Sequence, residues 1–253
     1  RNLLAEIGSA IRNKNFCLHY QPQLDLSSNR VTGFEALVRW QHPRLGLLPP
    51  SRFLPLTEIT EDIHRLSREI LRLGLTELRR WREKGQEYTL SINLSARNLQ
   101  DGRYLDDLDR QLRESHVPPQ ALELEIRESI LVTGQSQNAH RLLARLHELG
   151  TRLAIDSFGA GHSSLALLRR LPVTTLKIDQ SFIQNMAEQT EDKVIVHSVI
   201  DLAHNLGMRA IAKGVEKAET LDLLKEMGCD CIQGNIHCPP KPWRELERWL
   251  PAR

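Results

Sequence analysis

What this sequence lacks narrows it quickly. No apolar stretch approaches the roughly 18 residues of a membrane span, and no signal-peptide pattern opens the chain. The domain is therefore expected to make no membrane contact of its own. Its 34 basic residues nearly offset 32 acidic ones, for a net charge of +2. That balance leaves no electrostatic footprint for a DNA or RNA polymer, and only a local basic pocket stays open. Four cysteines in 253 residues make no disulfide framework at this size and suit a reduced, cytoplasmic setting. Cys229, Cys231 and Cys238 stand near His237, but Cys-x-Cys lacks the Cys-x-x-Cys spacing of a zinc knuckle, and small buried thiols are the better reading. The ten histidines show no His-Glu-x-x-His pairing. No linker, low-complexity tract or internal repeat divides the chain, so residues 1–253 read as one domain. The first residue is Arg1 rather than Met, which implies a piece of a longer protein whose membrane anchorage elsewhere stays open.

What is present is a strand-and-helix alternation. Phe16–Leu24 and Val31–Trp40 read as strands separated by a turn far too short for a parallel crossover, so this pair is expected to be an antiparallel hairpin. Six further strands are expected at Tyr88–Leu94, Leu122–Ile126, Arg152–Asp156, Thr175–Asp179, Arg209–Lys213 and Asp230–Gln233. Helical stripes lie between them. Leu66, Ile70, Leu73, Leu78 and Trp81 mark a helix over roughly residues 62 to 84, and Ala139, Leu142, Leu143, Leu146 and Leu149 mark another, stopped by Gly150. Val194–Leu206 and Leu221–Met227 end at Gly207 and Gly228 in the same way. Residues 1–13, with Leu3, Leu4, Ile7 and Ile11, read as a lead-in helix from an upstream domain. Eight strands in about 250 residues point to an α/β fold, a (β/α)8 TIM-like barrel with an antiparallel first strand. Asn93, Glu125, Asp156, Asp179 and Lys213 each close an apolar run, where such barrels place their chemistry.

Several motifs carry a more specific likeness: Tyr20-Gln21-Pro22, Gly33-Phe34-Glu35-Ala36-Leu37-Val38-Arg39-Trp40, Asn93-Leu94-Ser95, Glu123-Leu124-Glu125-Ile126-Arg127-Glu128, Leu176-Lys177-Ile178-Asp179 and Gln233-Gly234. With these the chain resembles the EAL domain family, cyclic di-GMP phosphodiesterases and their inactive relatives, from about Leu18 to Pro240. The resemblance implies a barrel with one antiparallel strand, two Mg²⁺ or Mn²⁺ ions flanking the scissile phosphate, and a homodimer. It assigns Glu35, Asn93, Glu125 and Asp156 to the first metal, with hard oxygen donors suited to either ion. It assigns Gln21, Glu35, Leu37, Arg39, Asp179 and Gln233 to the substrate, with Arg39 gripping a phosphate. Lys177 and Glu216 belong by the same likeness to the catalytic set, and Glu128 braces the loop Phe158–Ser164.

Two departures fall where the second metal belongs. The family pattern Asp-Asp-Phe-Gly is here Asp156-Ser157-Phe158-Gly159, and Glu-Gly-Val-Glu is Lys213-Gly214-Val215-Glu216. The carboxylates lost are those expected at the second ion, and the one replaced by Lys213 is also the proposed general base. An ammonium neither ligates Mg²⁺ nor takes a proton from water. Asn235, Ile236 and His237 also replace the usual aromatics after Gln233-Gly234. At most one ion is therefore expected. The primary reading is a cyclic di-GMP-binding signalling module with little or no hydrolysis, acting as receptor or regulator beside an upstream signalling domain. The alternative is an active metal-dependent phosphodiesterase giving pGpG.

Overall fold

The computed structural model describes residues 3–132, 136–160 and 168–250. Period-two alternation builds its first hairpin. In β1 (Phe16–Asp25) the residues Phe16, Leu18, Tyr20 and Leu24 are buried on the outer face, which leaves Cys17, His19, Gln21 and Gln23 for the lumen. Asp25 Oδ1 then accepts from Ser27 Oγ and from the amide and hydroxyl of Ser28, at 2.7–2.8 Å, and so fixes the turn. β2 (Arg30–His42) returns antiparallel, pairing Phe16 with Trp40 and Asp25 with Arg30.

After a short edge strand, β3 (Gly46–Leu48), the remaining strands run parallel to β2. They are β4 (Thr89–Asn93), β5 (Leu122–Arg127), β6 (Arg152–Phe158), β7 (Thr175–Ile178), β8 (Arg209–Lys213) and β9 (Cys231–Gln233). β1 closes the ring, antiparallel to both β2 and β9. The expected eight-stranded barrel with a reversed first strand is therefore present. β3 was not expected; three residues carry no readable period, and it pairs only with the projecting end of β2.

Helices cover the outside. Helix α1 (Leu3–Arg12) buries Ile7 and Ala10, and α2 (Leu54–Glu58) leads into α3 (Asp62–Glu83). The buried face of α3 runs through Leu66, Leu71, Leu75, Leu78 and Trp81, so it is rotated from the stripe expected through Ile70 and Leu73, which are only partly buried. Helix α4 (Gly102–Ser115) was also not foreseen, although Tyr104, Leu105, Leu108 and Leu112 give it a helical apolar face and Asp101 caps it by accepting from the Arg103 amide. Then follow α5 (Glu128–Val132), α6 (Ser136–Glu148), α7 (Gln180–Asn185), α8 (Thr190–Asn205), α9 (Ala218–Glu226) and α10 (Trp243–Trp249). As expected, Gly150, Gly207 and Gly228 follow their helices in left-handed conformations. Rings of Tyr20, Phe34, Trp81, Tyr88 and Trp243 pack at 4.8–6.4 Å between the first hairpin, α3 and α10.

The lumen is polar rather than aliphatic. Its lower layer centres on the buried Glu123, whose two oxygens accept from Ser91 and Thr175 hydroxyls at 2.8 Å each, while Gln23 donates to Ser91 Oγ at 3.3 Å. The site is built on this floor. Outside the lumen, α3 carries one poorly compensated carboxyl. Glu77 is 7% exposed, its Oε1 has no hydrogen-bond partner, and its Oε2 reaches Arg80 only at 3.4 Å. Burial pushes its carboxyl above the ordinary value, and Arg80 offsets this only partly. A raised folded-state value means the cost of ionisation is absent in acid and grows as pH rises through that value. Glu77→Gln is thus expected to stabilise the fold by about 1 kcal/mol at pH 7. The gain should vanish in urea titrations repeated below pH 4.5; an unchanged gain there would show that ionisation is not the cause.

Candidate functional site

Each of the eight barrel strands contributes a polar lumen side chain near one rim: Gln21, Glu35, Asn93, Glu125, Asp156, Lys177, Lys213 and Gln233 in chain order. Glu35 is the hub. Its Oε1 accepts from Asn93 Nδ2 at 2.9 Å and its Oε2 from Gln233 Nε2 at 2.6 Å. The Lys213 and Lys177 ammoniums stand 3.5 and 3.7 Å from the same Oε2. Gln233 Nε2 also donates to Gln21 Oε1 at 3.0 Å, which ties the reversed strand to the site.

Two ion pairs flank this hub. Lys177, fully buried, donates to Glu125 Oε1. Lys213, with 20% of its side chain exposed, donates to Asp156 Oδ1 at 2.7 Å. Burial alone would raise the Glu35 carboxyl, but Lys213, Lys177 and the Gln233 and Asn93 hydrogen bonds outweigh it and hold it at about 2. Glu125 goes the other way: burial, reinforced by the neighbouring Glu35, pushes it up to about 8. Burial opposes the charge on Lys213, but Glu35, Glu125 and Asp156 raise it above the ordinary lysine value. Lys213 is therefore a fixed cation.

Ser157 is the one site residue with an unusual backbone. It sits at φ +56° in an irregularity of the β6–β7 register between Ile155 and Phe158. Its hydroxyl stands near Asp179, which caps α7 by accepting from the Ser181 amide at 2.9 Å and hydroxyl at 2.6 Å. Burial would raise Asp179, but these bonds and the nearby Lys213 keep it below the ordinary carboxylate value. Asp179, expected on the substrate, is thus also a helix cap. Glu128 accepts from the Gly159 amide at 3.0 Å; residues 161–164 of the loop it is expected to brace lie outside the described residues.

The structure redistributes other expected residues. Glu216 is exposed and bonds no described residue, because Val215 takes the inward position and turns the next side chain outward. It stands apart from the lumen cluster, and the resemblance alone supports its catalytic assignment. Arg39 shares a strand face with Glu35 and Leu37 but folds back, donating to the Val38 carbonyl at 2.9 Å and the Leu37 carbonyl at 3.4 Å. Among the described residues no carboxylate pairs with it. Cys229 and Cys231 are buried thiols, which burial pushes up to about 12 and 11.

A cleft of about 270 Å³ opens at this rim, lined by Leu37, Arg127, Asp156 and Lys213 among others. Arg127 and Glu123 were not foreseen as site residues. Their signal was available in β5, where Glu123, Glu125 and Arg127 share one face by alternation. A larger groove of about 850 Å³ lies outside the barrel between α3 and α4. Its arginines are engaged with neighbouring carboxylates, as in Arg68–Asp107 and Arg72–Glu69, and no site residue lines it. The rim cleft is the better candidate.

The family model for the EAL domain matches residues 4–240. The chain belongs to the EAL domain family. It is 39% identical over 249 residues to the cyclic di-GMP phosphodiesterase PA2567 of Pseudomonas aeruginosa, covering 98% of this chain and 42% of that protein. It is 34% identical over 239 residues to the cyclic di-GMP phosphodiesterase RocR of the same organism, covering 94% and 61%. Among solved structures, the PaMucR phosphodiesterase in its cyclic di-GMP complex superposes with a TM-score of 0.92 at 33% identity, covering 96% of this chain and 99% of that one. The FimX EAL domain of Pseudomonas aeruginosa bound to cyclic di-GMP gives 0.88 at 27% identity, covering 95% and 97%. The chain spans 30–42% of the length of the first curated relatives.

EAL phosphodiesterases are metal dependent, and this donor set meets that requirement only in part. Glu125 Oε2 is a buried carboxylate oxygen without a hydrogen-bond partner, in a neighbourhood of hard oxygen donors. That is a foothold for one cation. Yet Lys213 engages Asp156, and among the described residues no group of three or more His, Cys, Asp or Glu side chains is gathered to hold an ion. Glu35, Asn93, Glu125 and Asp156 reach one rim, where Lys177 bonds Glu125 Oε1 and Lys213 bonds Asp156 Oδ1.

Backbone contact locks this rim. Val215 N donates to the Gln233 carbonyl at 3.2 Å and Ile236 N to the Val215 carbonyl at 3.0 Å. A Cβ on Gly234 would stand 2.1 Å from Val215 O and 2.4 Å from Val215 N. Gly234→Ala should therefore cost at least about 2 kcal/mol, read from the urea midpoint. A variant as stable as the parent would show that the two loops can part.

Proposed function

We propose that this chain is a cyclic di-GMP-binding EAL domain that acts as receptor or regulatory module and hydrolyses the nucleotide little or not at all. The observation that carries this reading is the Lys213 ammonium, 2.7 Å from Asp156 Oδ1 and 3.5 Å from Glu35 Oε2, where the resemblance expects a second metal ion. A cation there attracts phosphate but accepts no proton from water. Glu35 and Asp156 face two ammoniums, Lys177 and Lys213, while Glu125 is pushed toward its neutral form. One divalent ion plus an anionic nucleotide suits that charge better than two ions do.

A single Mg²⁺ or Mn²⁺ would use oxygens of Glu35, Asn93, Glu125 and Asp156. When bound, such an ion polarises a phosphate oxygen and lowers the pKa of its water. The chain's own residues supply the rest. Arg39 offers a guanidinium with no carboxylate partner among the described residues, Leu37 an apolar wall, and Gln21 and Gln233 fixed amides. An upstream signalling domain would feed into residues 1–13, and the resemblance supports a homodimer in a cytoplasmic setting. Among the described residues no helix is long and apolar enough to cross a membrane.

The relatives favour a second reading, since PA2567 and RocR are phosphodiesterases by name. Hydrolysis to pGpG is the alternative. Calorimetric titration with cyclic di-GMP tests the receptor reading: binding is expected in EDTA as well as in Mg²⁺, and Arg39→Ala should weaken it about tenfold or more. No binding at high micromolar nucleotide would overturn it.

Activity assays separate the two readings. Ser157→Asp suits its backbone, since Asp tolerates the left-handed region better than most residues. It places a carboxylate beside Asp179, an arrangement that calls for a cation. With Mg²⁺ or Mn²⁺, the wild type, Lys213→Glu and Ser157→Asp should give negligible pGpG, and the double variant detectable turnover. Robust turnover by the wild type would establish the alternative.

A further inference from the structure

The upper end of the first hairpin carries lumen-facing groups outside the ion-pair cluster. β1 runs against the other strands, so its first residues stand at the barrel mouth beside the last residues of β2. The register sets Cys17 opposite Arg39, His19 opposite Leu37 and Gln21 opposite Glu35. Leu18 and Tyr20 are buried in the outer core, so His19 lies on the lumen face with Gln21, whose amide oxygen accepts from Gln233.

His19 is half-buried at this mouth. Its ring stands near the Pro240 carbonyl, an acceptor for one ring N–H. Burial, and then the Arg39 guanidinium, hold the imidazole below its ordinary value despite Pro240 and Glu245, which pull the other way. At neutral pH the ring is uncharged, and its second nitrogen is a hydrogen-bond acceptor. Among the described residues no donor occupies it.

Its cross-strand neighbours Arg39 and Leu37 cannot supply that acceptor. Arg39 donates only and Leu37 is apolar. Diagonal neighbours on an antiparallel pair lie about 7–8 Å apart, within mutual reach of long side chains. A nucleotide whose phosphate meets Arg39 can therefore present its base to His19.

We propose that His19 is a base-recognition residue, its free ring nitrogen accepting the N1–H of a guanine whose nucleotide is anchored by Arg39. The inference rests on the reading of this rim as a cyclic di-GMP site. Guanine offers a donor at N1, where adenine presents a lone pair. The imidazole nitrogen attracts the first and repels the second.

The test compares cyclic di-GMP with cyclic di-AMP by calorimetry on the wild type, His19→Leu and His19→Gln. The wild type should prefer the guanine nucleotide. His19→Leu should lose about tenfold in cyclic di-GMP affinity with cyclic di-AMP unchanged, and His19→Gln, whose carbonyl restores an acceptor, should recover most of the loss. Equal losses for the two nucleotides, no loss, or a glutamine variant no better than leucine would overturn the assignment. A wild type that binds neither nucleotide would instead remove the site reading beneath it.

Discussion

The ion pair between Lys213 and Asp156, extended to Glu35, is the contact on which the character of this rim depends. It gathers side chains from β8, β6 and β2, strands that do not neighbour one another around the barrel. Removing one partner of a buried pair is strongly destabilising, because it leaves an uncompensated charge. The rim therefore holds its carboxylates together through ammoniums. A metal competing for Asp156 Oδ1 must first displace a cation already attached to the fold.

The surrounding structure is arranged to keep these charges in register. Below them, Glu123 is satisfied by hydroxyls of β4 and β7, so the lumen floor is polar without another ion pair at that level. Beside them, the contact of Gly234 with Val215 fixes the spacing of Gln233 and Lys213. Outside, aromatic rings pack the reversed strand β1 against α3 and α10, which holds Gln21 within reach of Gln233. The EAL barrel is present here; the departures at Lys213 and Ser157 change the charge of the site, and those at Asn235, Ile236 and His237 follow Gln233-Gly234.

Much of this was legible in the sequence. The hairpin turn after Leu24 and the alternation that followed were enough for a barrel with one reversed strand. Lys213 and Ser157 could be named as departures because the flanking motifs are intact. Other features had no local signal. The Ser157 left-handed conformation arises from a register irregularity between two strands, which no window of β6 reveals. The outward turn of Glu216 depends on which neighbour takes the inward position after the strand ends. The helical face of α4 was readable from Tyr104, Leu105, Leu108 and Leu112, and the rotation of α3 shows how a wide apolar stripe leaves its central line undecided. Most instructive are Glu35, Asn93, Glu125 and Asp156. Sequence placed them at one rim with Lys213 in the lost metal's place, and the structure adds which carboxylate each lysine bonds.

The most direct test of the account is an anomalous-scattering map of crystals grown with Mn²⁺ and cyclic di-GMP. The account predicts at most one manganese peak, on the Glu125 and Asn93 side, with the Lys213 ammonium still bonded to Asp156. Two peaks about 4 Å apart, with Lys213 swung out of the rim, would contradict it.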